Sequence, residues 1–255
     1  PGTVLSETMD TYIPRYENDE SFIMASHVDR LQQSDCFKVG GVSCISCHNP
    51  HKSVTSLDNN HFNNKCVSCH SNCEETPKNT DCISCHMPKS SSIDIPHVSI
   101  TDHKISVHSN SKKVKGSFKE LACINNDSPT NLSKAKAYLK HYESFDQNPM
   151  LLDSAFMFLK RCKKEESFPF YVQYYYLKKD YKKLIKYSEY YSLDELHNIF
   201  TSNVLSITYS RIADSYSKYN FNEKSYANYL KSVELSPNNL DFLLKTSVLE
   251  IKMFK

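Results

Sequence analysis

The 255-residue chain has no tryptophan and only four glycines. So few glycines leave no phosphate-cradling loop of the Rossmann or Walker kind, and neither motif occurs. No run approaches the roughly 18 consecutive apolar residues that a membrane helix needs, so no transmembrane segment is expected. The net charge is only +2 and the pI near 8.1, which gives no reason to expect a nucleic-acid partner. With 39% hydrophobic and 24% charged residues and a mean hydropathy of -0.55, the composition is that of a foldable, soluble chain of one or two domains.

What the chain does contain is unevenly spread. Nine of its 11 histidines lie between His27 and His108, and eight of its 10 cysteines between Cys36 and Cys85. Fifteen of its 17 tyrosines fall between Tyr138 and Tyr229. A polar, basic stretch, Ser109 to Ser117, joins the two regions and reads as a linker. The expected organisation is a cysteine- and histidine-rich domain over 1–110, a linker over 111–130 and a helical domain over 131–255. Residues 36–110 hold only 16 Ile, Leu, Val, Phe and Met among 75, while serine supplies 13. That is too little apolar side chain to offset the entropy of ordering, so disulfides, metal or a large cofactor must stand in for a core.

A motif supplies the candidate three times over: Cys44-Ile-Ser-Cys47-His48, Cys66-Val-Ser-Cys69-His70 and Cys82-Ile-Ser-Cys85-His86. C-x-x-C-H is the attachment sequence of c-type haem. Thiols three positions apart reach the two vinyl groups of one porphyrin as thioethers, and the adjacent imidazole falls under the iron. Zinc is the bland alternative, since CxxC pairs come in twos to make four-cysteine sites. Three pairs leave one unmatched, and zinc does not ask for histidine after every second cysteine. At this chain's histidine frequency three such coincidences have a chance of about 8 in 100,000. A thioredoxin-like dithiol needs a βαβ context that the sequence lacks. Three haem c groups are expected, held by Cys44, Cys47, Cys66, Cys69, Cys82 and Cys85, with His48, His70 and His86 as proximal ligands.

For the second axial position the spare histidines are His27, His51, His61, His97, His103 and His108. Met87 directly follows His86 and cannot readily fold back over the same iron, so bis-histidine ligation is favoured. His97 and His103 lead, in Asp94-Ile-Pro-His97 and Thr101-Asp-His103, where a neighbouring aspartate could hold the other ring N–H. His27 belongs to an expected helix over 21–33, and His51, three residues past His48, suits a neighbouring haem. His61 and His108 are weaker candidates. Cys36 and Cys73 belong to no motif; in the oxidising space that haem attachment implies, they are expected to pair, and Cys123 with Cys162 forms a second possible pair.

The runs His27-Val-Asp-Arg-Leu-Gln-Gln-Ser-Asp-Cys36-Phe, Cys44 to His51, Asp81 to Lys89, Asp94-Ile-Pro-His-Val and Thr101-Asp-His resemble exported bacterial multihaem c-type cytochromes with C-terminal tetratricopeptide repeats. The resemblance is close over about 20–108 and architectural beyond. It implies bis-histidine haems, electron transfer, and distal ligands among His27, His51, His97 and His103. Such proteins often carry more haem motifs upstream, whereas this chain opens at Pro1-Gly2. Either the chain is processed or partial or the upstream haems are absent, and on the first alternative some spare histidines would serve irons elsewhere.

Beyond Pro129, apolar spacing predicts helices over 131–142, 151–163, 171–179, 181–190, 193–219 and 240–251. Tyr209-x2-Ile212-Ala213-x2-Tyr216, Ser225-x3-Tyr229 and Pro237 match the spacing of a tetratricopeptide unit, with a weaker copy from Phe168 to Ser188. The last helix reads as a cap or as half of a further repeat. Clustered Tyr174-Tyr175-Tyr176 and Tyr190-Tyr191 cannot all face inward. The expected fold is mainly α: an irregular haem-packed multihaem cytochrome c domain followed by a helical repeat solenoid. The expected function is single-electron relay in the periplasm or outside the cell, without catalysis. Its expected partners are redox proteins or other cytochrome subunits, with a multi-subunit assembly as one form of that partnership. The alternative is a subunit of a reductase of small nitrogen or sulfur oxyanions, which would need an open iron; every motif here ends in His.

Overall fold

The computed structural model describes residues 4–17, 26–58, 60–70, 81–91, 97–107, 116–191 and 193–253. They are mainly helical. In chain order the elements begin with α1 (Leu5–Thr8), β1 (Tyr12–Tyr16), α2 (His27–Gln32), α3 (Asp35–Lys38), α4 (Cys44–Cys47), α5 (His61–Val67) and α6 (Cys82–His86). Next come β2 (Lys89–Ser91), β3 (Ser99–Thr101), β4 (Phe118–Cys123), α7 (Asn131–Ser144), α8 (Pro149–Leu159) and α9 (Lys164–Leu177). The chain ends in α10 (Tyr181–Ser188), α11 (Ser202–Ser217), α12 (Asn222–Leu235) and α13 (Leu240–Met253), with 3-10 turns at Val54–Ser56 and Leu193–Asn198. Among the described residues no helix is long and apolar enough to cross a membrane.

The chain divides into two compact units, Tyr16–Phe118 and a second made of Pro1–Arg15 with Lys119–Lys255. This differs from the expected 1–110 boundary at both ends. Strand β1 pairs with β4, so residues assigned to the linker form a strand. Asn125 then holds the early chain through Thr11 N–H (2.7 Å) and the Met9 carbonyl (2.7 Å), and Tyr12 donates to Ser133 Oγ (3.0 Å). Ile13 and Leu121 are buried in that unit. A pairing between residues over a hundred positions apart carries no periodicity of its own, which is why composition alone misassigned these residues.

In the larger unit the helices start and stop for local reasons. Thr130, Asn148, Asp180 and Thr201 cap α7, α8, α10 and α11 through side-chain oxygens, and Pro149 follows Asn148 at the first helical position. Glycine is too scarce to end them, so Lys179 and Asn220 take the left-handed conformation instead (φ 59° each). Asp180 N–H then closes onto the Tyr175 carbonyl and Phe221 N–H onto that of Tyr216. Helix α9 starts seven residues earlier than apolar spacing predicts. Glu165 and Glu166 favour its first turn, and Pro169, inside the second turn, leaves the Glu165 carbonyl without its i+4 backbone donor. The predicted helix over 193–219 is broken by Thr201, which restarts the chain as α11.

Phe168, Val172, Leu184, Leu196, Leu205, Tyr209, Ile212 and Tyr216 form the main core, and Ala213, Tyr229 and Leu249 continue it. Asp214 ties four helices together. Its carboxylate accepts from Tyr176 (2.8 Å), Tyr229 and Lys245 (3.2 Å). Of the clustered tyrosines, Tyr174 is buried, Tyr175 and Tyr176 are half-buried and Tyr190 is exposed.

The Tyr16–Phe118 unit is built of one- and two-turn helices and the antiparallel pair β2–β3, with Lys89 opposite Thr101. Its described buried hydrophobic side chains are Tyr16 and Leu31, while Arg30, Ser34 and Asp102 are also buried. Val39, Ile45, Val54 and Val67 stand exposed. Two adjacent glycines shape one turn of this unit. Gly41 is left-handed (φ 63°), and a Cβ on Gly40 would stand 2.7 Å from the Cys36 carbonyl oxygen, so both close the turn that leads into α4.

Candidate functional site

The three CxxCH motifs take up related local structures. Cys44–Cys47 forms one helical turn with a capping box between Ser43 and Ser46, and His48 N–H donates to the Cys44 carbonyl (2.9 Å). Cys66 lies in the last turn of α5, and His70 N–H likewise donates to the Cys66 carbonyl (2.9 Å). Cys82–His86 is a turn capped by Asp81, whose carboxylate accepts the Ile83 N–H (3.2 Å). Each helical turn brings its two thiols onto one side, because positions three apart are neighbours on a helix surface. Asn63 of α5 accepts the Cys82 N–H (3.1 Å), which ties the second motif's helix to the third.

The six motif thiols are free, three exposed and three half-buried. Burial pushes the Cys47 thiol up, with Lys65 opposing and Cys36 and Cys69 adding to it. Burial, followed by Cys82 and Cys47, pushes Cys66 up to about 11. These thiols are therefore protonated at neutral pH. Among the described residues no three His, Cys, Asp or Glu side chains are grouped as a bound metal ion would need. A four-cysteine zinc site asks for such a cluster; a haem iron asks the chain for only two donors, from opposite sides.

The spacing of one imidazole pair suits that requirement. The ring centres of His48 and His103 are 6.2 Å apart at an interplanar angle of 30°. Two imidazoles binding one ion from opposite sides, each at about 2 Å, hold their centres about 6 Å apart. His27 stands closer to His103, at 4.3 Å, which leaves no space for an ion between those two rings. The His103 Nδ1 lies 3.0 Å from the Thr101 carbonyl oxygen and the His86 Nδ1 3.2 Å from that of Ser106. A carbonyl can only accept, so both rings carry a proton on Nδ1, which for His103 leaves Nε2 as the ring nitrogen a metal would use. Burial, with His27 and His48 nearby, lowers the His103 pKa against the raising effect of Thr101, so the ring is neutral.

The expected aspartate support for His103 is not what forms. The Asp102 carboxylate turns to Arg30, with bonds of 2.8 Å from Nε and 2.5 Å from Nη2, and the Thr101 carbonyl takes the ring N–H instead. Sequence reading missed Arg30 altogether; its place at i+3 from His27 was the available signal. Phe62 was also missed, and its ring packs edge-on against His48 (5.2 Å) and His61 (5.1 Å). His61 lies beside the first motif with Nε2 3.3 Å from the Cys47 carbonyl, which commits the nitrogen a ligand would use.

Other candidates are not brought together. His97 is exposed in left-handed backbone (φ 64°), and His51 and His70 are exposed. The helix carrying His27 starts at His27 itself, capped by Ser26, rather than at 21. His108, Asp94 and Cys73 lie outside the described residues, and with Cys73 the proposed pairing to Cys36. The Cys123–Cys162 disulfide does not form. Both thiols are free, turned to Asn125 Oδ1 (3.5 Å) and the Phe158 carbonyl (3.4 Å), because β4 and the turn between α8 and α9 present them to local acceptors.

No family model matches the chain, and no curated protein or solved structure matches it significantly.

Proposed function

We propose that the chain is an exported multihaem c-type cytochrome that relays single electrons, with a tetratricopeptide-like helical unit for partner docking or assembly. Cys44 and Cys47, Cys66 and Cys69, and Cys82 and Cys85 would hold three haem c groups, with His48, His70 and His86 as proximal ligands. When bound, these groups supply the one-electron chemistry of iron, tuned by axial ligation and burial. The observation that carries the reading is a compact unit with three CxxCH motifs, only two buried hydrophobic side chains among its described residues, and His103 set 6.2 Å from His48.

The chain's own part is orientation. His86 and His103 each donate an Nδ1 proton to a backbone carbonyl, which fixes the ring plane. Burial keeps His103 neutral, the form that can bind a metal. In the helical unit, Tyr209, Ile212, Ala213, Tyr216, Ser225 and Tyr229 are all buried, and Ser225 donates to the Ala213 carbonyl (2.9 Å). Burial at every one of these spaced positions supports the repeat reading, and stacked repeats present a long surface for a partner.

A pyridine haemochrome assay with mass spectrometry is expected to find three covalent haems per chain. Colourless protein, or zinc with intact thiols, would overturn the proposal. His103→Ala is expected to convert one low-spin haem to high-spin; an unchanged spectrum removes His103 from the ligand set. Rapid binding of nitrite or CO by the reduced protein would turn the reading towards a reductase subunit.

A further inference from the structure

The side chains most costly to bury in the Tyr16–Phe118 unit are an ion pair. Arg30 and Asp102 are 4% and 5% exposed and meet in a fork, Nε to Oδ1 at 2.8 Å and Nη2 to Oδ2 at 2.5 Å. Desolvating two charges cancels much of their attraction, and an apolar pair of similar volume is often as stable or more so. What a fork adds is direction, because the guanidinium and carboxylate planes lock together at two points.

That direction is applied at the histidines. Arg30 is one turn beyond His27 on α2. Asp102 lies between Thr101, whose carbonyl accepts the His103 ring proton, and His103 itself. The Asp102 N–H donates to the Pro88 carbonyl (3.0 Å), and its Oδ1 also accepts the Lys104 N–H (2.9 Å). Asp102 therefore joins α2 and the exit of β3 through its carboxylate, and through its backbone N–H the segment that leaves the third CxxCH motif. The rings of His27 and His103 are left 4.3 Å apart, and His103 6.2 Å from His48.

We propose that Arg30 and Asp102 are positioning residues that hold His103 as the axial partner of His48. Their loss would loosen that ligand and leave covalent haem attachment intact, since neither residue belongs to a CxxCH motif. The proposal rests on the cytochrome reading above.

The test uses the full, haem-loaded chain and three variants: Arg30→Lys, which keeps the charge and loses the fork; Asp102→Asn; and the double variant Arg30→Met with Asp102→Leu, which buries no lone charge. Each is expected to keep three haems by pyridine haemochrome and to convert one haem in three, wholly or in part, from low- to high-spin. That is the change made by His103→Ala. Added imidazole should restore the low-spin signal, and the midpoint of that haem alone should move. If Arg30→Lys and Asp102→Asn do not accumulate, the double variant decides. Low-spin spectra and midpoints like those of the unaltered chain in every variant that accumulates would overturn the proposal, as would loss of covalent haem at more than one site. An unaltered chain that lacks low-spin haem would instead overturn the cytochrome reading, a result separable from either.

Discussion

The larger unit buries Phe168, Leu184, Leu205 and Ile212 almost completely, whereas between Tyr16 and Phe118 the described buried side chains are Tyr16, Leu31, Arg30, Ser34 and Asp102. One interior is oil; the other is largely polar, with valines and isoleucines left on the outside. A chain segment of about a hundred residues usually draws its stability from apolar area removed from water. The helical unit does so in the ordinary way. The front unit does not, and its regular features are instead capped turns, a forked ion pair and three repeated pairs of thiols. The contrast lies between the described interiors of the two units, and it can be broken at either end.

The largest effect is expected from Cys82→Ala or Cys85→Ala, which should remove one haem and abolish protease resistance across the front unit while the helical unit stays resistant. A cooperative, resistant front unit in that variant would end the argument about its interior. Phe168→Ala should act in the opposite place. It is expected to cost about 3–5 kcal/mol in denaturant unfolding of the helical unit and to leave the haem absorption unchanged.

Asp214→Asn sharpens the comparison at a polar point inside the oily unit. It should cost about 1–3 kcal/mol, because the Tyr176 and Tyr229 hydroxyls and Lys245 lose a charged acceptor while staying largely out of water. Burial, reinforced by Asp214 for Tyr176 and Tyr229, raises the pKa of these phenols and of Tyr187. The folded state holds their protons more tightly than the unfolded chain does. Stability is therefore complete below about pH 10 and falls as pH rises beyond it, a loss visible in alkaline melting curves. Tyr187→Phe should shallow that decline and stabilise by about 1 kcal/mol, since the buried Tyr187 hydroxyl has no hydrogen-bond partner among the described residues. The smallest effect is expected from His97→Ala, which should leave every haem spin state as it is.

Much of this was legible in the residues and some of it was not. The helical region announced itself because a period of three to four apolar residues is local, and the spacing from Tyr209 to Tyr229 proved to lie wholly on buried positions. The thiols and their adjacent histidines were equally plain, since attachment chemistry demands a fixed local spacing. His103 was readable as a candidate, but not its partner. His97 looked just as good in sequence and is exposed, while His61 looked poor and lies beside the first motif. The boundary failed for a related reason: β1 belongs with β4 through bonds that span more than a hundred residues.

By itself, then, the amino-acid sequence determined the three CxxCH turns, the poverty of apolar residues around them and the helical character of the tyrosine-rich half. All of these are set by neighbours within a few positions. Tertiary structure alone decided that the His103 ring lies 6.2 Å from that of His48, that Asp102 answers Arg30 rather than an imidazole, and that the first strand packs with the last half of the chain. Those are long-range choices, made where a buried charge finds its partner and a strand its edge, and no local pattern encodes them.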